Sequence, residues 1–294
     1  MPGRGRRPIP RTPPGLQRTT APGGRIPPDL VHRDPSAAAP ARAPARPRGD
    51  RVHAPLRQPP RHRPAAAWQT WEHRVREALR TGTGDDALLR ALAHTVATHP
   101  RMRDTVETYL TTAPAELDFT GFDDEADYQA YVDAYVLPAF MLIATLVAPE
   151  DDDGAFRAAC RTFIDGSQRL DFVNDLAEDV REGRTGVPAQ TLNRFSLTPE
   201  NLTSPHHTDN IRQLVIHELT RARADLEHAA QLPTLAPKPF RPLLSALIEI
   251  ELLTADAALQ RGAALLQGEA SPPPAGALRV LLNALRAKRT SRHP

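Results

Sequence analysis

The sequence has one cysteine, no apolar N-terminus and no long apolar run. Each of these features argues against one class of protein. Cys160 is the only cysteine among 294 residues, so an internal disulfide is excluded, as suits a reducing compartment. The N-terminus lacks the apolar stretch of a signal peptide. The most apolar run, residues 134–148, contains Pro138 and is shorter than the roughly 20 residues that span a membrane. We expect a cytoplasmic protein in which this run is a buried core helix.

Several binding and catalytic motifs are also missing. Neither a Gly-rich phosphate loop nor a nucleophile elbow occurs. His217 and Glu218 begin a zinc-protease pattern, but Arg221 stands where its second histidine belongs. No aromatic residue precedes Trp68, although proteins that bind single strands stack bases on aromatic rings. We therefore do not expect nucleic-acid binding.

Charge and proline content divide the chain into two parts. Residues 1–64 hold 16 of the 31 prolines, and their 14 arginines and three acidic residues give a net charge of +11. The remainder has a net charge of −9. So much proline prevents regular backbone hydrogen bonding, and we predict a disordered Pro/Arg-rich tail at residues 1–66. A second hypothesis is that a misread frame or mispredicted start produced this segment.

Residues 67–294 carry the pattern of an all-α domain. Apolar residues recur at spacings of three and four, glycine and proline separate the segments, and no alternating stretch is long enough for a strand. The predicted helices span residues 68–81, 85–98, 101–118, 124–147, 153–182, 208–231, 240–267 and 275–289.

The most unusual of these helices is acidic. Asp171, Asp175 and Asp179 are spaced four apart, which places them on one face at about 100° per residue, together with Gln168 and Glu178. Like charges at this spacing destabilise a helix by about 0.2–0.5 kcal/mol per pair, and a cation would relieve the repulsion. Carboxylates suit Mg²⁺, which keeps several waters and bridges to phosphate oxygens. A solvated acidic surface gives the same pattern, and spacing alone does not separate the two.

Residues 166–202 resemble the second aspartate-rich region of the squalene/phytoene synthase family, whose pattern reads approximately QxxNxxRDxxEDxxxGRxYxP. The positions that match in register are Gln168, Asp175, Glu178, Asp179, Gly183, Arg184 and Pro188. Residues 115–147 resemble the family segment in which an acid-Leu pair and a short loop precede a helix. On that alignment Tyr131 takes the place of the family's active-site tyrosine. Packing in the core is the alternative role for this residue.

The resemblance implies an all-α isoprenoid synthase fold around a central cavity. It implies that Mg²⁺ joins aspartates to the diphosphate of an allylic prenyl substrate, farnesyl or geranylgeranyl diphosphate, which then condenses with a second isoprenoid. The implied metal ligands are Asp171, Asp175 and Asp179. The implied catalytic residues are Asp175, Asp179 and Tyr131. The implied diphosphate-binding residues are Gln168, Glu178 and Arg184.

Three positions depart from the family pattern: Asp171 replaces an asparagine, Asn174 an arginine and Gly186 a tyrosine. The family's first aspartate-rich motif should precede Trp68, yet residues 1–67 contain no DxxxD. Three alternatives follow: prenyl condensation, prenyl transfer to an aromatic acceptor, or an inactive family member. An apolar substrate favours transient contact with a membrane surface, although no basic amphipathic anchor is evident in the sequence.

Overall fold

The computed structural model describes residues 65–117, 119–151, 154–203 and 208–290. Throughout these four ranges the regular structure is helical, and no strand occurs in them. The all-α prediction is therefore confirmed. The predicted tail lies outside the described residues except for its last two positions, which belong to the first helix.

Twelve α-helices are found in the described ranges. They are α1 Ala65–Thr81, α2 Ala87–Thr98, α3 Met102–Thr112, α4 Glu125–Tyr131, α5 Leu137–Ala144, α6 Ala155–Asn174, α7 Leu176–Arg181, α8 Ala189–Arg194, α9 Thr208–His228, α10 Leu232–Leu235, α11 Arg241–Arg261 and α12 Pro274–Thr290. Short 3₁₀ turns extend several of them, among them Ala113–Glu116 after α3 and Gly262–Gln267 after α11.

The predicted segments correspond to these helices with two kinds of difference. The single acidic helix expected over residues 153–182 is divided at Asp175 into α6 and α7. The short helices α8 and α10 were not predicted, because six and four residues are too few to show a 3.6-residue period.

The most apolar helix is buried, as predicted. A π-helical turn, Val132–Val136, joins α4 to α5, and every residue of α5 except Ile143 is buried. Pro138 explains the wide turn, since it has no N–H and its ring would clash with the carbonyl four residues earlier. The stretch Glu125–Val147 is long and apolar enough to cross a membrane, but 61% of its apolar 18-residue window is buried inside the protein. It is a core helix by its packing.

Two groups of buried apolar side chains form the core. The smaller group packs α1, α2 and α3 together around Trp68, Val106 and Leu110. The larger group fills the space among α4 to α11 and includes Phe163, Leu170 and Leu219. The α5 helix contributes to both groups, with Leu142 in the first and Phe140 in the second.

Helix α6 lies at the centre of this arrangement and carries the acidic residues toward its C-terminal end. It packs along α9 and also contacts α5, α10 and α11. The last helix, α12, packs against α11. Asp124 caps the start of α4 by accepting hydrogen bonds from the backbone N–H groups of Ala126 and Asp127 at 2.8 and 3.1 Å, which fixes where this helix begins and directs Tyr128 and Tyr131 toward the core.

Candidate active site

The division of the acidic helix has a long-range cause. Asp175, between α6 and α7, has φ −92° and ψ 3°, a sparsely populated backbone conformation. The preceding residue, Asn174, is buried and bonds to the backbone of Ala270 in both directions. Its amide donates to the Ala270 carbonyl at 3.0 Å, and its carbonyl oxygen accepts from the Ala270 N–H at 2.6 Å. Asn174 therefore holds this junction to a segment 96 residues away in sequence.

The three aspartates lie in different settings along the divided helix. Asp171 lies in the last turn of α6 and Asp175 at the junction, and both are partly buried. Asp179 lies in α7 and is only 5% exposed. A purely solvated acidic stripe would leave all three well exposed, so this burial favours an inward-facing arrangement, most strongly for Asp179.

Asp179 is paired with Arg184. Gly183 follows α7 with φ +73°, a left-handed conformation that glycine adopts without steric cost. The turn lets the Arg184 N–H donate to the Asp179 carbonyl at 2.9 Å, and the Arg184 Nη2 donates to Asp179 Oδ1 at 2.8 Å. Arg184 also contacts Glu182 at 2.7 Å. Asp179, Gly183 and Arg184, all matched in the sequence pattern, thus form one local unit.

The remaining predicted polar residues lie on α6 and α7. Gln168 lies partly buried on α6, two turns before Asp175, and Glu178 lies partly buried on α7 beside Asp179. Their predicted contacts with a diphosphate stay predictions.

The donor set has the right chemistry for Mg²⁺ but does not form a closed metal site. Carboxylate oxygens are the ligands that Mg²⁺ prefers. Within residues 65–117, 119–151, 154–203 and 208–290, however, no three His, Cys, Asp or Glu side chains converge on a common point. Mg²⁺ is commonly held by one or two carboxylates together with substrate phosphates and water. Asp171 and Asp175, one turn apart, fit that mode, while the predicted three-aspartate ligand set stays a prediction.

Tyr131 lies in an aromatic cluster that reaches the end of α6 through Phe172. Its ring centroid is 5.0 Å from that of Phe119, 5.3 Å from Phe122, 5.4 Å from Tyr135 and 6.1 Å from Phe172. Phe172 follows Asp171 in α6, so the carboxylates and the aromatic rings share one part of the helix. We call these five rings the aromatic cluster. Apolar and charged chemistry therefore meet at the end of α6.

The Tyr131 side chain is 9% exposed, and its hydroxyl donates a hydrogen bond to the carboxylate of Glu116. Glu116 belongs to the acid-Leu pair noted in the sequence. Tyr131 is thus packed in the core, as the alternative role supposes. Its hydroxyl is also bonded to a carboxylate, which is compatible with a catalytic role.

Gly186 shows why the family's tyrosine is absent at this position. A Cβ atom added to Gly186 would lie 2.0 Å from Cγ and Cδ1 of Phe172 and 2.5 Å from its Cβ. The Phe172 ring therefore occupies the space that a side chain at residue 186 needs.

The structure also contains a buried charge network that the sequence did not indicate. Arg169, 3% exposed, contacts Glu125 at 2.6 Å and Glu218, which is 1% exposed, at 2.8 Å. Arg221 adds a second cation to Glu125 at 2.8 Å. Arg169 also lies 4.2 Å above the Tyr128 ring, a favourable cation–π distance. These contacts tie α4, α6 and α9 together beneath the aromatic cluster.

Two ionisable groups of this network have shifted pKa values. Burial by itself would raise the pKa of Glu125, but hydrogen bonds from Arg169, Arg221 and Gln129 outweigh it and lower that pKa to about 2. Burial raises the pKa of Tyr128 well above its ordinary value, and its hydroxyl donates to the Asp165 carbonyl at 2.9 Å. Glu125 is thus an anion and Tyr128 a neutral phenol at neutral pH.

One signal in the sequence could have indicated Arg169. At about 100° per residue it lies between Phe172 and Val173 on the helical wheel, roughly 120° from Asp175. A cation flanked by apolar residues on an amphipathic helix is expected to be buried and paired. Its partners Glu125 and Glu218 are distant in sequence, so the ion pairs themselves could not have been predicted from the sequence.

Comparison with known proteins gives three findings. A family model described as Squalene/phytoene synthase matches residues 49–276. No curated protein matches the chain. Among solved structures, squalene synthase HpnC from Alicyclobacillus acidocaldarius is 21% identical with a TM-score of 0.58, over 69% of this chain and 75% of that one. A dehydrosqualene synthase solved in complex with ligand is 14% identical with a TM-score of 0.63, over 78% and 80%. These structures share the all-α isoprenoid synthase fold.

Proposed function

Because the chain belongs to the squalene/phytoene synthase family, we propose that it is a Mg²⁺-dependent prenyltransferase acting on farnesyl or geranylgeranyl diphosphate. It ionises this allylic diphosphate and condenses it with a second isoprenoid. Membership of a family of prenyltransferases supports the reaction class, head-to-head condensation. The substrate and the metal dependence are the parts that we propose.

One observation carries the proposal: a polar region and an aromatic cluster meet at the C-terminal end of α6. The polar region contains Asp171, Asp175 and the Asp179–Arg184 pair, and the aromatic cluster begins at Phe172. A prenyl diphosphate has the same division, with a charged end joined to a hydrocarbon chain. The site and the substrate thus match in the order of their polar and apolar parts.

The polar residues would bind the diphosphate end. Asp171, Asp175 and Asp179 are the proposed Mg²⁺ ligands, and the bound ion would neutralise charge on the leaving diphosphate. Arg184 has five N–H donors, so it can bind a phosphate oxygen while it stays bonded to Asp179. Gln168 would donate a hydrogen bond to the same group, and Glu178 would orient a ligand or a water molecule.

The aromatic cluster would hold the hydrocarbon end. Its rings exclude water, which would otherwise react with an allylic cation, and their faces attract positive charge. Tyr131 lies among them with its hydroxyl fixed by Glu116. That hydrogen bond sets the orientation of the phenol and provides an acceptor for its proton.

Gly186 and Asn174 favour keeping a second candidate, prenyl transfer to an aromatic acceptor. The Phe172 ring leaves no room for a side chain at residue 186, where the family pattern has a tyrosine. Asn174, which stands where the pattern has an arginine, bonds to Ala270. We infer that both differences affect the step that follows ionisation. The two candidates therefore share the first step and differ in the acceptor.

Release of diphosphate tests the shared step. The full chain is incubated with farnesyl or geranylgeranyl diphosphate, with Mg²⁺ or with a chelator, and released diphosphate is measured. Asp175→Asn should lower the Mg²⁺-dependent rate by more than about 100-fold, the upper end of the loss when only a supporting partner of a metal ligand is removed. Asp209→Asn is the matched control, since Asp209 is an exposed aspartate on α9, and should act like the wild type.

The products separate the alternatives. A C30 or C40 hydrocarbon or its cyclopropyl precursor supports condensation, and a prenylated aromatic compound, formed only when an aromatic acceptor is added, supports the second candidate. Absence of Mg²⁺-dependent release from both donors refutes both candidates and leaves an inactive family member. The predicted lack of a first aspartate-rich motif concerns residues 1–67, of which 1–64 lie outside the described ranges, and stays a prediction.

A further inference from the structure

The outward face of α12 is a stripe of exposed leucines. Leu278, Leu281, Leu282 and Leu285 are 57%, 50%, 42% and 57% exposed. Their spacing of three and four places them on one side of the helix. Val280, on the other side, is 2% exposed. The α12 helix therefore packs through one face and presents a second apolar face, which we call the leucine stripe, away from the protein.

Basic residues flank the leucine stripe. At about 100° per residue, Arg279 and Arg286 lie roughly 80–100° to one side of Leu278, and Lys288 lies roughly 80° to the other. All three side chains are exposed. Residues 274–290 contain four basic residues and no acidic one. The helix thus has an apolar centre and positively charged margins.

This helix corrects one expectation from the sequence. No basic amphipathic anchor was evident there, and residues 275–289 were predicted only to form a helix. The structure buries Val280 and exposes the leucines. The family match ends at residue 276, so nearly all of α12 lies beyond the region that resembles the family.

We propose that the leucine stripe of α12 docks the protein on an anionic lipid surface. A helix with leucines on one face and basic residues at the margins lies in the plane of a membrane, with its apolar side chains among the acyl chains and its cations near the headgroups. Each basic residue near such a surface strengthens binding by about fivefold.

Charge argues against a second copy of the chain as the occupant. A symmetric dimer through the leucine stripe would place the same basic margins against each other, and like charges across an interface oppose association. An anionic surface meets both the apolar stripe and its margins.

Vesicle binding tests the proposal without substrate or metal, so its failure would leave the proposed reaction untouched. The full chain is floated with vesicles of phosphatidylcholine and phosphatidylglycerol in a ratio of 7:3, and with vesicles of phosphatidylcholine alone. Leu281→Glu should lower the partition coefficient on the mixed vesicles by more than about tenfold, since it removes apolar burial and adds a repelled charge. Ile216→Glu is the matched control, because Ile216 on α9 is 46% exposed, and should stay within about twofold of wild type.

Residues 1–64 are also basic and can attract anionic lipid, which is why every variant keeps them. Equal binding by wild type and Leu281→Glu would assign any binding to that tail and refute the proposal. So would absence of binding, or equal binding to both vesicle types at low and high salt. A dimer in lipid-free solution that Leu281→Glu dissociates would show that a second copy covers the stripe.

Discussion

Replacement of Arg169 tests whether the buried charge network stabilises the fold through pairing. Arg169→Met keeps most of the side-chain volume and removes the cation. Glu218, 1% exposed, then loses its partner at 2.8 Å, and the cation of Arg221 lies farther away at 4.0 Å. His217 lies at 3.9 Å, but burial lowers its pKa below the ordinary value, so it is mainly neutral at pH 7. The variant therefore buries a carboxylate with little compensation.

The magnitude follows from the distance and the burial. Two unit charges at 2.8 Å interact by about 6 kcal/mol at an effective dielectric constant of about 20. Removing the arginine also removes its own desolvation cost, so the expected net loss is about 3–5 kcal/mol in the free energy of unfolding. Such a loss is a large part of the roughly 5–15 kcal/mol that stabilises a typical domain.

A double variant separates pairing from packing. Within the described part of the chain, Arg169 Nε and Glu218 Oε1 are buried without a hydrogen-bond partner, so the pair is imperfectly satisfied. Replacing both members by apolar residues is often neutral. Arg169→Met combined with Glu218→Met should therefore recover most of the loss of about 3–5 kcal/mol that Arg169→Met alone causes.

Urea unfolding followed by circular dichroism at pH 7 measures these differences. Arg223→Met is the control, because Arg223 on α9 is 40% exposed and pairs with the exposed Glu227 and Asp256, and it should cost about 1 kcal/mol or less. If the double variant loses the sum of the two single losses, charge pairing is not the reason for the effect of Arg169→Met, and the reasoning fails.

Two further predictions concern pH and packing. Because the pKa of Glu125 falls to about 2 in the folded protein, its ionised form stabilises the fold above about pH 4.5, and this contribution should be lost as the pH falls toward 2. Urea unfolding at several pH values should show a weaker acid dependence in Glu125→Gln, and an unchanged dependence would contradict the assignment. Gly186→Ala should destabilise the protein by about 1–3 kcal/mol through overpacking against Phe172. Phe172→Ala should relieve this cost in a double-variant cycle measured by thermal unfolding, and strictly additive losses would contradict the steric explanation.

Most of the fold could be predicted because it depends on local patterns. Apolar residues at helical spacing located the long helices, and the burial of α5 followed from its composition. The break at Asp175 could not be predicted, since it accompanies a side-chain contact between Asn174 and Ala270. The exposure of the α12 leucines could not be predicted for a related reason. Two faces of that helix are apolar, and periodicity does not say which face packs against the protein.

The candidate site divides in the same way. Arg184 follows Asp179 by five positions, and their pairing depends on the turn at Gly183. All three residues belong to the motif that the sequence shows. The aromatic cluster and the Arg169 network join residues from α4, α6, α9 and the loop that precedes α4. These contacts are between segments distant in sequence, so no local pattern predicts them. The filling of the Gly186 position by Phe172 likewise required the packing of α6 against the loop that follows α7.

The two hydrogen bonds between Asn174 and Ala270 also couple the candidate site to the segment that precedes α12. Ala270 lies only four residues before the start of α12. The segment that leads into α12 is therefore hydrogen-bonded to the residue directly before Asp175. A chain shortened to end before Ala270 would leave the Asn174 amide buried and unpaired, at a cost of about 1–3 kcal/mol. C-terminal truncation therefore cannot be treated as a neutral way to improve solubility, because it would loosen the helix junction on which the carboxylates are mounted.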